Sequence, residues 1–117
     1  MNQINLTTEV RKPRQNVGVI DIHGDMTGFA ENILMDAFSQ ASNGSTKAIL
    51  LNFSGLDYMN SSGIGLLVTL LIRTQRQKQK LMACGLSEHY EEIFKLTRLN
   101  EAIGIYASES DALAVLS

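Results

Sequence analysis

The sequence predicts an α/β fold, in which a mixed β-sheet of four to five strands is flanked by about four α-helices. Short β-branched or continuously apolar runs alternate with longer segments whose apolar residues recur at helical spacing. The resulting order is β-β-α-β-α-β-α-β-α, and its two β-α-β crossovers require parallel central strands with helices packed on the sheet. Because no repeat or linker interrupts the chain, we expect a single domain over residues 1–117.

The first half of the chain contributes two strands and one amphipathic helix. The predicted elements are an edge strand at 4–10, a proline-containing turn at 12–16, a strand at 17–22 that ends at 23–25, and a helix from Thr27 or Gly28 to Ala41. The helix is indicated by one apolar stripe that includes Phe29, Leu34 and Phe38. The turn-forming residues 43–45 end it.

The second half begins with a continuous apolar run, which is typical of a central strand covered on both faces. The predicted elements are a strand at 47–53, a loop at 54–60, a helix at about 62–79, a strand at 81–84, a helix opening at Ser87, a strand at 102–106 and a last helix capped by Ser108. The first half of the helix at 62–79 is apolar almost all round. We therefore expect that part of the helix to be heavily buried.

Composition excludes several classes of function. Ten Lys and Arg residues stand against twelve Asp and Glu residues, for a formal net charge of −2, which argues against a nucleic-acid partner. The longest apolar run, residues 64–72, is too short to cross a membrane. Residues 1–14 lack the apolar stretch of a signal peptide, and the single cysteine suits a reducing compartment. A cytoplasmic location is expected.

Signatures of catalysis and cofactor binding are missing from the pattern. Gly63 and Gly65 have no third glycine at the dinucleotide-binding spacing, and no phosphate-binding loop motif occurs. His23 and His89 have no neighbours at metal-ligand spacing, so we interpret them as surface or loop residues. Cys84 ends an apolar strand and is interpreted as a small core residue. We expect no enzyme activity, no metal and no cofactor.

One polar segment, residues 57–65, joins a buried strand to a buried helix and contains two adjacent hydroxyls. In the simplest interpretation Asn60 or Ser61 is only the N-cap of that helix. The same position suits an anion, because free N–H groups and the positive end of the helix dipole meet there. A phosphate on Ser61 would change the local charge by about −1.5 to −2. Both interpretations are compatible with the residues.

Residues 49–67 closely resemble the signature segment of STAS domains, of the anti-sigma factor antagonist (anti-anti-sigma factor) family. The resemblance continues at residues 86–99, 105–106 and 111–113, and residues 22–26 stand where that family has its strand-ending Gly-Glu-Leu-Asp element. It implies the STAS fold for nearly the whole chain. It also implies a bacterial partner-switching role in transcription regulation through protein–protein interaction.

The resemblance further implies the partners and the switch. The unphosphorylated domain would bind an anti-sigma factor that is also a serine kinase of the ATPase-domain type, and so release a sigma factor. That kinase would phosphorylate Ser61, with Ser62 as the alternative acceptor, and a serine phosphatase would reset the system. ATP and magnesium would belong to the kinase. The chain itself would be a monomer or weak dimer without a cofactor.

Two residues depart from the family pattern. The family usually has Asp before the phosphorylated serine, where this chain has Asn60, and an acid where this chain has Thr27. Both substitutes can cap a helix, but they remove negative charge near Ser61. A constitutive scaffold-type STAS subunit of a signalling or transport assembly is therefore the alternative function. A small enzyme or nucleotide binder is a third hypothesis, which stabilisation by ATP or GTP in a thermal-shift screen would support.

The expected partner-binding face combines two segments that strand order should bring together. Its residues are Asp25, Met26, Thr27, Gly28, Met59, Asn60, Ser61, Ser62 and Gly63. The two methionines either contact the partner or pack in the core, and the sequence leaves both open. A cluster of cations at residues 73–80 is either a basic patch or, as we expect, a solvated helix end that complements the helix dipole.

Overall fold

The five strands lie in the sheet in chain order, β1-β2-β3-β4-β5. The computed structural model describes residues 5–116. The strands are β1 (Leu6–Arg14), β2 (Val17–Met26), β3 (Ala48–Met59), β4 (Lys80–Cys84) and β5 (Gly104–Tyr106). The helices are α1 (Glu31–Ala41), α2 (Ser61–Arg76), α3 (Glu88–Leu96) and α4 (Glu109–Val115), with short 3-10 turns at Gly28–Ala30 and Leu99–Glu101. The predicted α/β fold with a mixed five-stranded sheet is confirmed.

Pairing directions explain where the helices lie. β1 is antiparallel to β2, whereas β2, β3, β4 and β5 form parallel pairs in succession. These pairs require three β-α-β crossovers, one more than the sequence suggested. Because successive right-handed crossovers run in one direction across the sheet, α1, α2 and α3 share one face. α4 follows the last strand and covers the opposite face.

Two cores of unequal size hold the layers together. The larger core lies between the sheet and α1 to α3, and the smaller one lies between the sheet and α4. β3 contributes to both, since Ile49 and Leu51 point into the larger core and Ala48 and Leu50 into the smaller one. All four side chains are fully buried. The prediction that this strand is covered on both faces is therefore correct.

The predicted turn around the only proline is wrong. β1 runs through Pro13 to Arg14, and only residues 15 and 16 form the turn that leads to β2. Proline is tolerated here because β1 is an edge strand and its pairing with β2 is irregular between Arg11 and Arg14. Ile4, where the predicted strand began, lies outside the described residues.

The predicted ends of β2 and β3 are also wrong. The sequence pattern predicts that residues 23–25 end β2 and that residues 54–60 form a loop, but both strands continue side by side to Met26 and Met59. The register shifts between Asp21 and His23 and again between Gly24 and Asp25. The extension is polar and partly exposed, so hydrophobicity alone gave no sign of it.

α2 is one residue longer at its start and three shorter at its end than predicted. It ends at Arg76 because Lys78 has a positive φ of 58° and Gln79 turns into the next strand, where its Nε2 donates to Ser42 Oγ at 2.8 Å. The expected heavy burial holds for one side only. The opposite side is solvent-exposed, and we call it the outer stripe: Ser61, Gly65, Val68, Ile72 and Arg76.

A polar network, which we call the Arg11 network, holds α4 to the sheet. The Arg11 guanidinium donates to both carboxylate oxygens of Asp21, at 2.6 and 2.8 Å, and to both of Glu109, at 3.1 and 2.6 Å. Asn52 Nδ2 donates to Asp21 at 2.8 Å. Hydrogen bonding to Asp21 and Glu109 raises the pKa of Arg11, and hydrogen bonding to Arg11 lowers the pKa of Asp21. The network links residues from β1, β2, β3 and α4.

Candidate functional site

The carboxyl ends of β2 and β3 bring the two predicted site segments together. Parallel pairing sets Met26 beside Met59, and the Asn60 N–H donates to the Met26 carbonyl oxygen at 3.3 Å. Residues 25–28 consequently lie beside the amino end of α2. The adjacency that strand order suggested is present in the structure.

Asn60 is the N-cap of α2. Its backbone is extended, with φ −98° and ψ −178°, and its Oδ1 accepts from the Gly63 N–H at 2.9 Å. Its carbonyl oxygen accepts the first helical hydrogen bond, from Ile64 N–H at 3.0 Å. Of the two capping alternatives, the structure therefore selects Asn60. Ser61 is the first residue of the helix, and its hydroxyl is not needed for the cap.

Gly63 lets the helix start close against β2. A Cβ at this position would overlap the Met26 carbonyl oxygen and approach the Met59 side chain. Gly28 fulfils a milder version of the same requirement, because a Cβ there would lie 3.3 Å from the Ser62 Cβ. These contacts fix the backbone of residues 25–28 against the start of α2. Ser61 takes no part in them.

Ser61 and Ser62 are both exposed, and neither hydroxyl forms a hydrogen bond with residues 5–116. The first N–H groups of an α-helix have no intrahelical partner, and Asn60 accepts from Gly63 only. The N–H groups of Ser61 and Ser62 are thus oriented toward the solvent end of the helix. An anion at this point is favoured by those donors and by the helix dipole.

The two methionines of the predicted binding face are core residues. Met26 is 0% exposed and Met59 is 4% exposed, so neither side chain offers a surface to a partner. Met59 is held further by its N–H, which donates to the Tyr90 hydroxyl of α3 at 2.9 Å. Of the two interpretations that the sequence left open, packing in the core is the one that the structure shows.

Two aromatic side chains provide exposed apolar surface near the site instead. Phe29 is 55% exposed and Tyr58 is 51% exposed. The sequence placed Phe29 on the apolar stripe of a helix. The structure differs because Thr27 Oγ1 accepts from the Phe29 N–H at 3.4 Å and starts a 3-10 turn before α1. Tyr58 pairs with Asp25 in the extended part of β3, which the sequence placed in a loop.

Charge around the site is sparse at one end of α2 and positive at the other. The first turn of α2 holds no acidic residue, and its last turn contains Arg73 and Arg76. Asp25 accepts a hydrogen bond from Asn5 Nδ2 at 3.0 Å. Arg73, Arg76, Lys78 and Lys80 are all exposed, as expected for a solvated helix end. Asn60 and Thr27 are uncharged, so neither adds negative charge to this end of α2.

The two histidines and the single cysteine lie at separate positions on the surface and in the core. His23 and His89 are exposed, and Cys84 is 1% exposed in the smaller core, where burial raises the pKa of its thiol to about 11. Among residues 5–116, no three His, Cys, Asp or Glu side chains are grouped so that they could hold a metal ion. Within the same residues, no helix combines the length and the apolar character that a membrane span requires.

Solved structures with the same fold include regulators and one transporter-related protein. The chain superimposes on SpoIIAA, the anti-sigma factor antagonist of Bacillus, in its unphosphorylated and phosphorylated forms, with a TM-score of 0.73 and 20% identity in each case. The matches cover 94% of this chain and 97% of the unphosphorylated protein, and 95% and 100% for the phosphorylated one.

Two further solved structures broaden the comparison. An anti-sigma factor antagonist from Mycobacterium paratuberculosis matches with a TM-score of 0.79 and 19% identity, covering 94% of this chain and 92% of its own. A sulfate transporter family protein from Wolinella succinogenes matches with a TM-score of 0.75 and 16% identity, covering 87% and 85%. At these identities the likeness is one of fold.

The sequence itself gives the family. The family model of the STAS domain matches residues 9–112, which include all five strands in whole or in part and the segment around Ser61. Together with the sheet order and the cap at Asn60, this match shows that the chain belongs to the STAS domain family.

Proposed function

We propose that this chain is a bacterial anti-sigma factor antagonist whose binding is controlled at Ser61. In its unphosphorylated form it binds an anti-sigma factor that is also a serine kinase of the ATPase-domain type, and a sigma factor is freed. Phosphorylation of Ser61 ends that binding, and a serine phosphatase restores it. The exchange takes place in the cytoplasm, the chain acts by binding and not by catalysis, and it is a monomer or weak dimer.

The observation that carries the proposal is the position of the Ser61 hydroxyl. It is exposed at the first residue of α2, while Asn60 performs the capping that the helix needs. A kinase can therefore reach the hydroxyl without unfolding the helix start. Ser62 shares the exposure but lies beside Gly28, with 3.3 Å between its Cβ and a Cβ built there. Ser61 is accordingly the preferred acceptor and Ser62 the alternative.

A phosphate at Ser61 would be stabilised within the chain and opposed in the complex. It adds about −1.5 to −2 charge at neutral pH next to free helix N–H groups, which favour it. In a complex docked over residues 25–28 and 60–63, the bulk of the phosphate would hold the partner away from the surface and reduce the contact area. The partner would also have to desolvate the new charge, which is costly unless an opposite charge pairs with it.

Asn60 affects the charge of the switch and leaves its geometry intact. Its Oδ1 keeps the 2.9 Å cap to Gly63 that an aspartate would make. Without an acid in the first turn, the phosphate meets no like charge from residue 60. The phosphorylated state is then electrostatically easier to form than it would be next to an aspartate.

The alternative function is a constitutive scaffold-type subunit of a signalling or transport assembly. Two observations favour it: the acids that usually accompany the switch are absent at residues 27 and 60, and the fold is shared with a sulfate transporter family protein. In that case the surface near Ser61 binds its partner regardless of phosphorylation, and a stable large assembly is expected in place of a monomer.

The test uses immobilised protein to capture partners from the native cell lysate. The baits are the unmodified chain, Ser61→Ala, Ser61→Asp, Ser62→Asp and Asn100→Asp, which places the same charge at an exposed position outside α2. We expect a protein with a kinase-type ATPase domain on the unmodified chain, Ser61→Ala and Asn100→Asp, none on Ser61→Asp, and weaker capture on Ser62→Asp, whose charge lies in the same docking face. Incubation of that protein with ATP should then phosphorylate the unmodified chain at Ser61, as peptide mass mapping would show.

Each contrary outcome has a distinct meaning. Equal capture by all baits would overturn the phosphoswitch and favour the scaffold. Loss of capture on Ser62→Asp alone, with phosphate mapped to Ser62, would move the switch by one residue. Loss on both Ser61→Asp and Asn100→Asp would attribute the effect to net charge and contradict a specific site.

A further inference from the structure

We propose that the Ser61-phosphorylated chain forms a symmetric dimer through the outer stripe of α2, with the phosphate of each copy bound by Arg76 of the other. That Ser61 becomes phosphorylated in the cell rests on the proposed function, whereas the contact itself needs only the phosphorylated chain and no other protein. The occupant of the exposed α2 face is thus a second copy of the same chain, running antiparallel.

The outer stripe is a continuous line along one side of the helix. Its members, at positions 61, 65, 68, 72 and 76, are separated by three or four residues, which places them on one side of an α-helix. All five are exposed, and the two large apolar members, Val68 and Ile72, are 40% and 45% exposed. Together they form a small apolar patch with polar residues at both ends, an arrangement that suits a contact between two proteins.

The stripe is complementary to itself when two copies run antiparallel. A two-fold axis between Val68 and Thr69 sets Ser61 opposite Arg76 and Gly65 opposite Ile72, so that each contact occurs twice. A Cβ built at Gly65 has nothing within 4 Å, so the glycine leaves open space on the helix surface. The Ile72 side chain of the second copy fits that space, and a glycine allows the two helices to approach closely.

Charge makes this contact depend on phosphorylation. The amino end of α2 carries the positive end of the helix dipole and no acidic residue in its first turn. Arg76 of the second copy would be repelled by that end while Ser61 is unmodified. A phosphate reverses the sign of the local charge and accepts a bidentate, charge-assisted pair of hydrogen bonds from the guanidinium. Arg73, one turn earlier, adds positive charge nearby.

The apolar part of the stripe is too small to hold a dimer by itself. Only Val68 and Ile72 contribute large side chains, whereas stable interfaces bury about 1,200–2,000 Å² in total. The unmodified chain therefore stays a monomer or weak dimer. Two phosphate–arginine pairs, one at each end of the contact, supply the additional affinity.

The test is sedimentation velocity on protein that carries phosphoserine at position 61, installed during translation so that no kinase is required. We expect a dimer dissociation constant at least tenfold lower than that of the unmodified chain. Added salt should raise this constant, because it screens the phosphate–arginine pairs. Arg76→Glu in the phosphorylated chain should restore the monomer. Lys95→Glu, an equal charge change on the exposed part of α3, should leave the dimer intact.

A second variant separates the contact from general effects of charge. Gly65→Leu fills the open space on the stripe, so it should abolish the phosphorylated dimer while circular dichroism and melting temperature show a folded chain. Equal sedimentation of the phosphorylated and unmodified chains would overturn the proposal, as would a dimer that resists Arg76→Glu or Gly65→Leu, or that Lys95→Glu removes. A failed lysate capture with a positive result here would overturn the partner switch alone.

Discussion

Two polar regions of this chain differ in how many of their side-chain polar groups form hydrogen bonds. In the Arg11 network every polar group has a short partner: Arg11 bridges Asp21 and Glu109, and Asn52 binds Asp21 and accepts from Ser54. At the amino end of α2, only Asn60 is engaged, while the hydroxyls of Ser61 and Ser62 form no hydrogen bond with residues 5–116.

The difference separates a structural from a functional use of polar residues. A closed network of partly buried charges fixes the position of α4 and offers nothing to a ligand without losing an internal bond. Exposed hydroxyls on a well-held backbone can be modified or bound at little cost to the fold. Changes in the first region should therefore alter stability, and changes in the second should alter binding.

The largest effect is expected from Arg11→Met. This change removes both ion pairs and leaves Asp21, whose side chain is only 10% exposed, as an uncompensated charge. We expect the free energy of unfolding, measured by urea denaturation, to fall by roughly 2–3 kcal/mol. Arg98→Met removes an exposed ion pair with Glu101 and should cost less than about 0.5 kcal/mol. A similar loss in both variants would contradict the distinction between the two regions.

Next in size is a pair of alanine substitutions in the same helix that should have opposite effects. Gly63→Ala forces a methyl group against the Met26 carbonyl oxygen and should cost about 1–3 kcal/mol. Gly65→Ala meets open space and should stabilise the chain by about 0.5–1 kcal/mol, because glycine is unfavourable inside a helix. Thermal unfolding of both variants checks the signs. If both changes lowered stability equally, the close approach of α2 to β2 would not be confirmed.

Acid should weaken the Arg11 network specifically. Because hydrogen bonding to Arg11 lowers the pKa of Asp21 in the folded chain, its ionised form stabilises the fold above the unfolded pKa of about 3.9. That contribution begins to be lost below about pH 5 and disappears as the pH falls through the folded pKa. Urea denaturation of Asp21→Asn between pH 7 and pH 3 should show a smaller fall in stability than the unmodified chain. An equal slope would assign acid sensitivity to other carboxylates.

Those parts of the fold that hydrophobic patterning determines are predictable from the sequence. A buried strand within 47–53, the helix opening at Ser87 and the cap at Ser108 are confirmed, because burial and capping follow from local residue types. At the site, the adjacency of residues 25–28 and the α2 start followed from parallel strand order. The STAS resemblance is confirmed at the level of the family.

What could not be predicted depends on contacts between distant segments. Pro13 lies in a strand because an edge and an irregular register accept it, and neither is visible in residues 12–16. The Arg11–Glu109 pair joins residues at opposite ends of the chain. The outer stripe stays exposed although its segment is apolar almost all round, because the described chain places no further layer over α2. Periodicity gives the presence of a helix, whereas tertiary packing decides which side is covered.

A smaller effect is expected at the N-cap of α2. Asn60→Ala removes the acceptor for the Gly63 N–H and should lower the free energy of unfolding by about 1 kcal/mol. Asn60→Asp keeps the acceptor and adds negative charge at the positive end of the dipole, so it should be neutral or stabilising by about 0.3–1 kcal/mol. Chemical denaturation distinguishes the three proteins. A loss on Asn60→Asp as large as on Asn60→Ala would show that the amide, and not the oxygen, is required.

The smallest change in stability is expected for Ser61→Ala, although it removes the residue on which the proposed switch depends. The hydroxyl is exposed and makes no hydrogen bond with the described residues, and alanine is favourable in a helix, so the free energy of unfolding should change by less than about 0.5 kcal/mol. Denaturation and partner capture on the same preparation separate the two roles. If Ser61→Ala lost 1 kcal/mol or more, as Asn60→Ala should, Ser61 would contribute to the helix start, and the exposed hydroxyl would no longer support a purely functional role.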